Sequence, residues 1–274
     1  MSKRVAFIGG GNMGRAIVGG LISRGHEPGA ITVAEPLETL RTALAHDFGV
    51  NVTADNAAAI ATAEVVVLAV KPQQMKLVVQ PLATLLAERR PVLLSIAAGI
   101  TTRTLLNWVG AGIPMVRAMP NTPALVGRGA TGLFATATTG AAERALAESL
   151  LAATGLVVWV EQEAQLDAVT ALSGSGPAYF FLLLECLEQA GVQLGLPAEL
   201  ARKLAIETGA GAAELARSAT VDPATLRSQV TSKGGTTERA LQVFMEGRLP
   251  ALVERALAAA ATRAQELSRE FGDS

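Results

Sequence analysis

A short apolar run, Val5 to Ile8, leads directly into Gly9-Gly10-Gly11-Asn12-Met13-Gly14, and a stretch with helical periodicity follows from Met13 to Ser23. A strand, a G-x-G-x-x-G turn and a helix in that order restrict the fold severely. Gly9 permits the tight turn, and Gly11 lets backbone approach a pyrophosphate at the helix N-terminus. Gly14 lets the helix pack closely on the strand. Glycines also make ordinary turns, so context decides the reading. Here an acidic residue, Glu35, ends the next strand-like run 21 residues after Gly14, where the ribose of a dinucleotide falls.

The rest of the N-terminal half repeats the alternation of strand and helix. Ile31 to Ala34, Val50 to Val52, Val65 to Val70, Val92 to Ile96 and Met115 to Ala118 read as strands, and Gly132 to Ala135 and Leu156 to Val160 complete them. Val65 to Val70 is wholly apolar, as expected of a parallel strand covered on both faces. Helices are expected between them, including one unbroken helix from Gln73 to Arg89. After Gln162 the pattern becomes helical throughout, punctuated by Gly174, Gly176, Gly195, Pro197, Pro223 and Gly247. The expected architecture is α/β: a doubly wound sheet of Rossmann type over residues 1–162, then an all-helical domain over 163–274. The helices are alanine-rich and apolar over much of their surface, which suggests burial of more than one face against a second subunit.

Composition excludes several classes. Half of the 274 residues are hydrophobic, 17% are charged and the net charge is −1, so the chain is globular and not a non-specific nucleic-acid binder. Aromatics make up 4%, too few for a stacking platform. No run reaches about 18 uninterrupted apolar residues, and nothing before Lys3 reads as a leader, so no membrane partner and a cytoplasmic location are expected. The single cysteine, Cys186, allows no intrachain disulfide.

The side chains of conventional catalysis are scarce. His26 and His46 lack a third ligand at useful spacing, so no metal site is expected. Gly174-Ser175-Gly176 looks like a serine nucleophile turn, but the strand–turn–helix frame and a nearby histidine are missing. The chemistry therefore falls to a nicotinamide cofactor, with the protein positioning its partner. Glu35 can accept from the ribose 2′-hydroxyl, which favours NADH, while Arg41 could compensate a 2′-phosphate, so NADPH stays open. Ala69-Val70-Lys71-Pro72 ends a strand on the edge where ligands bind in open α/β sheets.

These residues belong to a larger pattern. IGGGNMG (Ile8 to Gly14), AVKPQ (Ala69 to Gln73), RAMPNTPA (Arg117 to Ala124), DAVTALSGSGPAY (Asp167 to Tyr179) and VTSKGGTT (Val230 to Thr237) occur in this order, and on them the chain resembles the pyrroline-5-carboxylate reductases over essentially its whole length. The resemblance implies hydride transfer from NADPH or NADH to the C=N carbon of a five-membered cyclic imine acid, giving L-proline. It also implies a homodimer interlocked through the helical domain, commonly assembled further into a ring of five dimers.

By the same resemblance the cofactor would be held by Gly9, Gly10, Gly11, Asn12, Met13, Gly14, Glu35, Asn56, Ala69, Val70, Lys71 and Pro72. The substrate would be held by Gly234, Gly235, Thr236 and Thr237, with Ser175 lining the site. Backbone N–H groups at the start of the following helix suit the substrate carboxylate. Thr237 would place its hydroxyl near the ring nitrogen, which makes it the catalytic candidate. Glu163 lies near the family's substrate-side acid, and Arg117 reads as structural. Two departures matter. Lys233 stands where the family normally has proline, losing rigidity and adding a charge. Phe180 stands where the β-hydroxyacid dehydrogenases carry a catalytic lysine, which argues against an alcohol substrate.

Overall fold

The computed structural model describes residues 2–272. The strands are β1 (Val5–Ile8), β2 (Ile31–Ala34), β3 (Asn51–Thr53), β4 (Val65–Leu68), β5 (Val92–Ser95), β6 (Met115–Met119), β7 (Gly129–Ala135) and β8 (Gly155–Trp159). Between them run α1 (Asn12–Ser23), α2 (Glu38–Phe48), α3 (Asn56–Ile60), α4 (Pro72–Val79), α5 (Ala83–Arg89), α6 (Thr102–Val109) and α7 (Ala141–Leu151). Then follow α8 (Gln165–Val169), α9 (Gly176–Gln193), α10 (Ala198–Ser218), α11 (Pro223–Gln229), α12 (Thr236–Glu246) and α13 (Leu249–Gly272). A π-type turn, Thr170–Gly174, joins α8 to α9.

The eight strands form one sheet in the order β3-β2-β1-β4-β5-β6-β7-β8. The period-2 alternation of strands, with both faces covered, explains why β1 and β4 are apolar throughout. Val5, Phe7, Val65 and Val67 enter the core on one face, and Ala6, Ile8, Val66 and Leu68 enter the core on the other. Ile8 is in register with Ala34 on one side and with Leu68 on the other, so β1, β2 and β4 end level. The order reverses between β1 and β4, which places the topological switch point at that edge.

Two details differ from the sequence expectation. β7 runs antiparallel to β6, so the sheet is mixed, with β8 again parallel to β7. The single helix expected from Gln73 to Arg89 is broken: a 3₁₀ turn, Gln80–Leu82, separates α4 from α5. Pro81 is the cause, since it has no N–H and its ring clashes with the carbonyl four residues before it.

The chain divides into two compact units, Met1–Ser175 with Ala259–Ser274, and Gly176–Ala258. The first holds the sheet, α8 and the π-type turn. Gly132 of β7 admits Val169 so closely that an added Cβ would lie 2.8 Å from it. The second unit is helical. Its buried apolar side chains among the described residues are Ala201 and Ala205, while Phe180, Phe181, Leu182, Leu183, Leu187 and Leu204 are exposed. The helical stretch Gln165–Gln193 is long and apolar enough to cross a membrane by length and composition, although Glu185 and Glu188 interrupt its apolar run.

Candidate active site

At the switch point, the glycine turn follows β1 as its spacing predicts. Gly9 has φ +101°, and a Cβ on it would meet Ala69 O at 2.7 Å, so the turn and the end of β4 touch here. A Cβ on Gly14 would meet Gly9 O at 2.7 Å, which is the close helix–strand packing expected. Gly11 differs: a Cβ there would meet nothing within 4 Å. Gly11 is also the N-cap of α1 and offers no side-chain cap, and the first turn holds no acid. The start of α1 thus has room beside Gly11 and no side-chain cap on its first N–H groups, which fits a pyrophosphate. Asn12 is exposed, whereas Met13 packs against the core beneath the sheet.

Glu35 is 7% exposed, and both of its carboxylate oxygens are engaged. Oε2 accepts the N–H of Gly10 at 2.9 Å, and Oε1 accepts the N–H of Leu37 at 3.0 Å. The acid therefore ties the end of β2 to the glycine turn, a role that the sequence did not reveal. Arg41 Nη1 donates to Glu35 O at 2.6 Å and to Pro36 O at 2.7 Å, which holds a cation at the same edge. Ala69 and Val70 are half-buried after β4, exposed Lys71 is the N-cap of α4, and Pro72 opens that helix. Asn56 opens α3, which Asp55 caps through Ala57 and Ala58.

The RAMPNTPA and LSGSG segments are joined. Asn121, 7% exposed, donates from Nδ2 to Ser173 O at 3.0 Å and accepts the N–H of Ala130 at 2.8 Å. A Cβ on Gly174 would lie 2.5 Å from Met119 Cε, so the π-type turn packs against the methionine that ends β6. Ser175 follows at the end of that turn, half-buried, with its N–H on Thr170 O at 2.8 Å.

Glu163 is tied down rather than available as a free acid. One oxygen accepts Arg117 Nη1 at 3.0 Å and the N–H of Thr102 at 2.7 Å; the other accepts the Thr102 hydroxyl at 2.6 Å. Arg117 is thus buried and paired with Glu163. Asp167 lies in the same hollow of about 380 Å³, with Thr101, Arg103 and Ser268. Burial pushes the Asp167 carboxyl above the usual aspartate range; Arg117 opposes the rise and Glu163 adds to it. Thr102 carries no sequence signal for this contact, because 61 residues separate it from Glu163; Asp167 opens the DAVTALSGSGPAY motif, but its burial depends on how the hollow closes around it.

In the second unit, Ser232 to Gly235 forms a turn closed by Gly235 N–H on Ser232 O at 3.0 Å. Gly234 has φ +74°, which favours glycine there, and a Cβ on Gly235 would lie 2.5 Å from Ser232 Oγ and 3.0 Å from Ser232 O, so the turn is tight at both positions. Gly234 N–H is also engaged, donating to Glu238 Oε2 at 2.7 Å. The amides of Thr236, Thr237 and Glu238 open α12 and have no intrahelical acceptor. Among the described residues no cluster of His, Cys, Asp or Glu could hold a metal ion.

Known proteins place this chain. The family described as pyrroline-5-carboxylate reductase dimerisation matches residues 163–267, and that described as NADP oxidoreductase coenzyme F420-dependent matches residues 4–99. The pyrroline-5-carboxylate reductase of Pseudomonas aeruginosa is 48% identical over 271 residues, 99% of each chain. The chain belongs to the pyrroline-5-carboxylate reductase family. The reductase of Coxiella burnetii superposes with a TM-score of 0.94 at 46% identity, over 98% of this chain and 99% of that one. The pyrroline carboxylate reductase of Plasmodium falciparum, solved with NADP bound, gives 0.86 at 26% identity over 97% and 98%.

Proposed function

We propose that this chain reduces 1-pyrroline-5-carboxylate to L-proline, the last step of proline biosynthesis, with the cofactor on the glycine turn and the substrate on the 232–237 loop. It is an NAD(P)H-dependent oxidoreductase of the pyrroline-5-carboxylate reductase family. The observation that carries the site assignment is the first turn of α12. Gly234 and Gly235 shape the approach, but their own N–H groups are spent on Glu238 and Ser232. The groups left for an anion are the amides of Thr236, Thr237 and Glu238, at the positive end of an eleven-residue helix. The substrate has one anion, its carboxylate.

When bound, the reduced nicotinamide supplies the hydride for the imine carbon. Gly9, Gly11 and Gly14 let the backbone of α1 receive the pyrophosphate, and Glu35 fixes the turn that does so. Thr237 steadies the ring nitrogen with its hydroxyl. That nitrogen is basic and can be protonated before reduction, so no strong side-chain acid is needed. The protein contributes orientation, the term worth most when two reactants must meet at a fixed distance. Thr237→Ala is the test: kcat/KM for the imine falls while cofactor affinity stays. Unchanged kcat/KM would remove the role.

The exposed Phe and Leu side chains of α9 and α10 support a homodimer through the helical unit, with assembly into a ring of five dimers as the larger state. Light scattering on the purified protein tests both. A cytoplasmic location is proposed with them, in keeping with dependence on a reduced dinucleotide.

A further inference from the structure

The loop read above as the substrate loop has an identifiable turn type. Ser232 O accepts Gly235 N–H at 3.0 Å, Gly234 has φ +74°, and Lys233 lies outside the left-handed region. These are the marks of a type II turn with Lys233 at its second position and Gly234 at its third. Proline presets the second position because its ring fixes φ; lysine leaves it free to rotate. Gly235, the N-cap of α12, has no side chain with which to hold the helix start. One side chain does reach back. Glu238, in the first turn of α12, accepts Gly234 N–H at 2.7 Å.

We propose that Glu238 is a positioning residue of the substrate loop, its carboxylate holding the Ser232–Gly235 turn in the shape that presents the α12 amides and Thr237 to the substrate. The proposal rests on the assignment of that loop to the substrate. Two effects of opposite sign meet at Glu238. Its charge sits near a seat for an anion and repels the substrate carboxylate. Its hydrogen bond removes the freedom of two glycines and a lysine before substrate arrives. Glu238 and Lys233 are both exposed, so the repulsion is screened by salt and offset by the lysine. The entropy of ordering the loop is not screened, and it falls on substrate binding when the tether is missing. The tether therefore dominates.

The experiment is steady-state kinetics on the full chain, with 1-pyrroline-5-carboxylate varied at saturating NADPH and, separately, NADPH varied at saturating imine. Glu238→Ala is expected to raise KM for the imine about tenfold, with KM for NADPH unchanged. Glu238→Gln keeps an acceptor and loses the charge, so its KM stays at or below that of the parent. Lys233→Pro in the Glu238→Ala background restores most of the lost affinity, because proline presets the turn by another route. KM does not depend on the fraction of enzyme folded, so partial unfolding cannot imitate this pattern. A Glu238→Ala KM at or below the parent value would overturn the proposal. So would a Glu238→Gln KM as high as that of Glu238→Ala, or a double variant without recovery. Thr237→Ala, run in parallel, separates the two ideas. If it leaves kcat/KM intact, the loop assignment fails. If it lowers kcat/KM while Glu238→Ala leaves KM alone, only the role of Glu238 is lost.

Discussion

Arg117 donates to Glu163 at 3.0 Å from a side chain that is 5% exposed. The same carboxylate holds the backbone and hydroxyl of Thr102, so one acid joins β6, the start of α6 and the approach to α8. Removing Glu163 would strand a buried guanidinium. Glu163→Ala should lower stability by about 2–3 kcal/mol, toward the low end for a buried pair because the acid is partly exposed. Thermal or urea denaturation of the purified protein checks this. A variant as stable as the parent would show that water replaces the carboxylate.

Asp167, in the same hollow, predicts a pH dependence. Its folded-state proton affinity is raised, mainly by burial. Below the ordinary aspartate pKa both states are protonated and the group contributes nothing. As pH rises above about 4, the unfolded state ionises freely while the folded state resists, so stability is lost. Asp167→Asn should therefore melt higher than the parent at neutral pH and alike at a pH of about 3. The gain is small because the site is partly open to solvent. A lower melting temperature at neutral pH would mean that the carboxylate makes a favourable contact.

The sheet and its glycine turn were legible from the sequence because their signals are local. An apolar strand, Gly9, Gly11 and Gly14 sit within ten residues of one another. The antiparallel β7 was not legible, since alternation reads the same in either direction. The break at Pro81 has a sequence signal, a proline inside an otherwise helical pattern. The candidate site divides likewise. VTSKGGTT marked its own loop, but the spending of the Gly234 amide on Glu238 is a matter of rotamer and register. Glu35 announced itself as an acid after β2. Its burial and its two backbone partners depend on how the turn folds over it.

Glu35 ties the glycine turn, and substitution can separate that tie from the ribose role proposed for it. If Glu35 also receives the ribose, as proposed, Glu35→Ser should weaken NADH by about tenfold through loss of that acceptor and of the Gly10 tie, and shift the preference toward NADPH. Glu35→Gln keeps an acceptor for Gly10 and should lose less. Cofactor KM ratios for the three proteins decide the matter. An unchanged ratio in Glu35→Ser would leave Arg41 as the residue to pursue.

Gly11 and Gly9 should respond differently to alanine. A Cβ at Gly11 meets open space, so Gly11→Ala should fold like the parent and lose dinucleotide affinity. Gly9 has φ +101° and would press on Ala69 O, so Gly9→Ala should destabilise the first unit itself, by roughly 1–3 kcal/mol. Melting curves with and without NADPH distinguish them. Normal NADPH stabilisation of Gly11→Ala would contradict the pyrophosphate seat.

The most direct test of the central claim is oxidation of NADPH and of NADH by the purified protein with 1-pyrroline-5-carboxylate, followed by loss of reduced-nicotinamide absorbance and by the appearance of proline. Turnover with at least one cofactor, sharply reduced in Thr237→Ala, is the predicted result. Binding of both cofactors with no proline formed from either would contradict it.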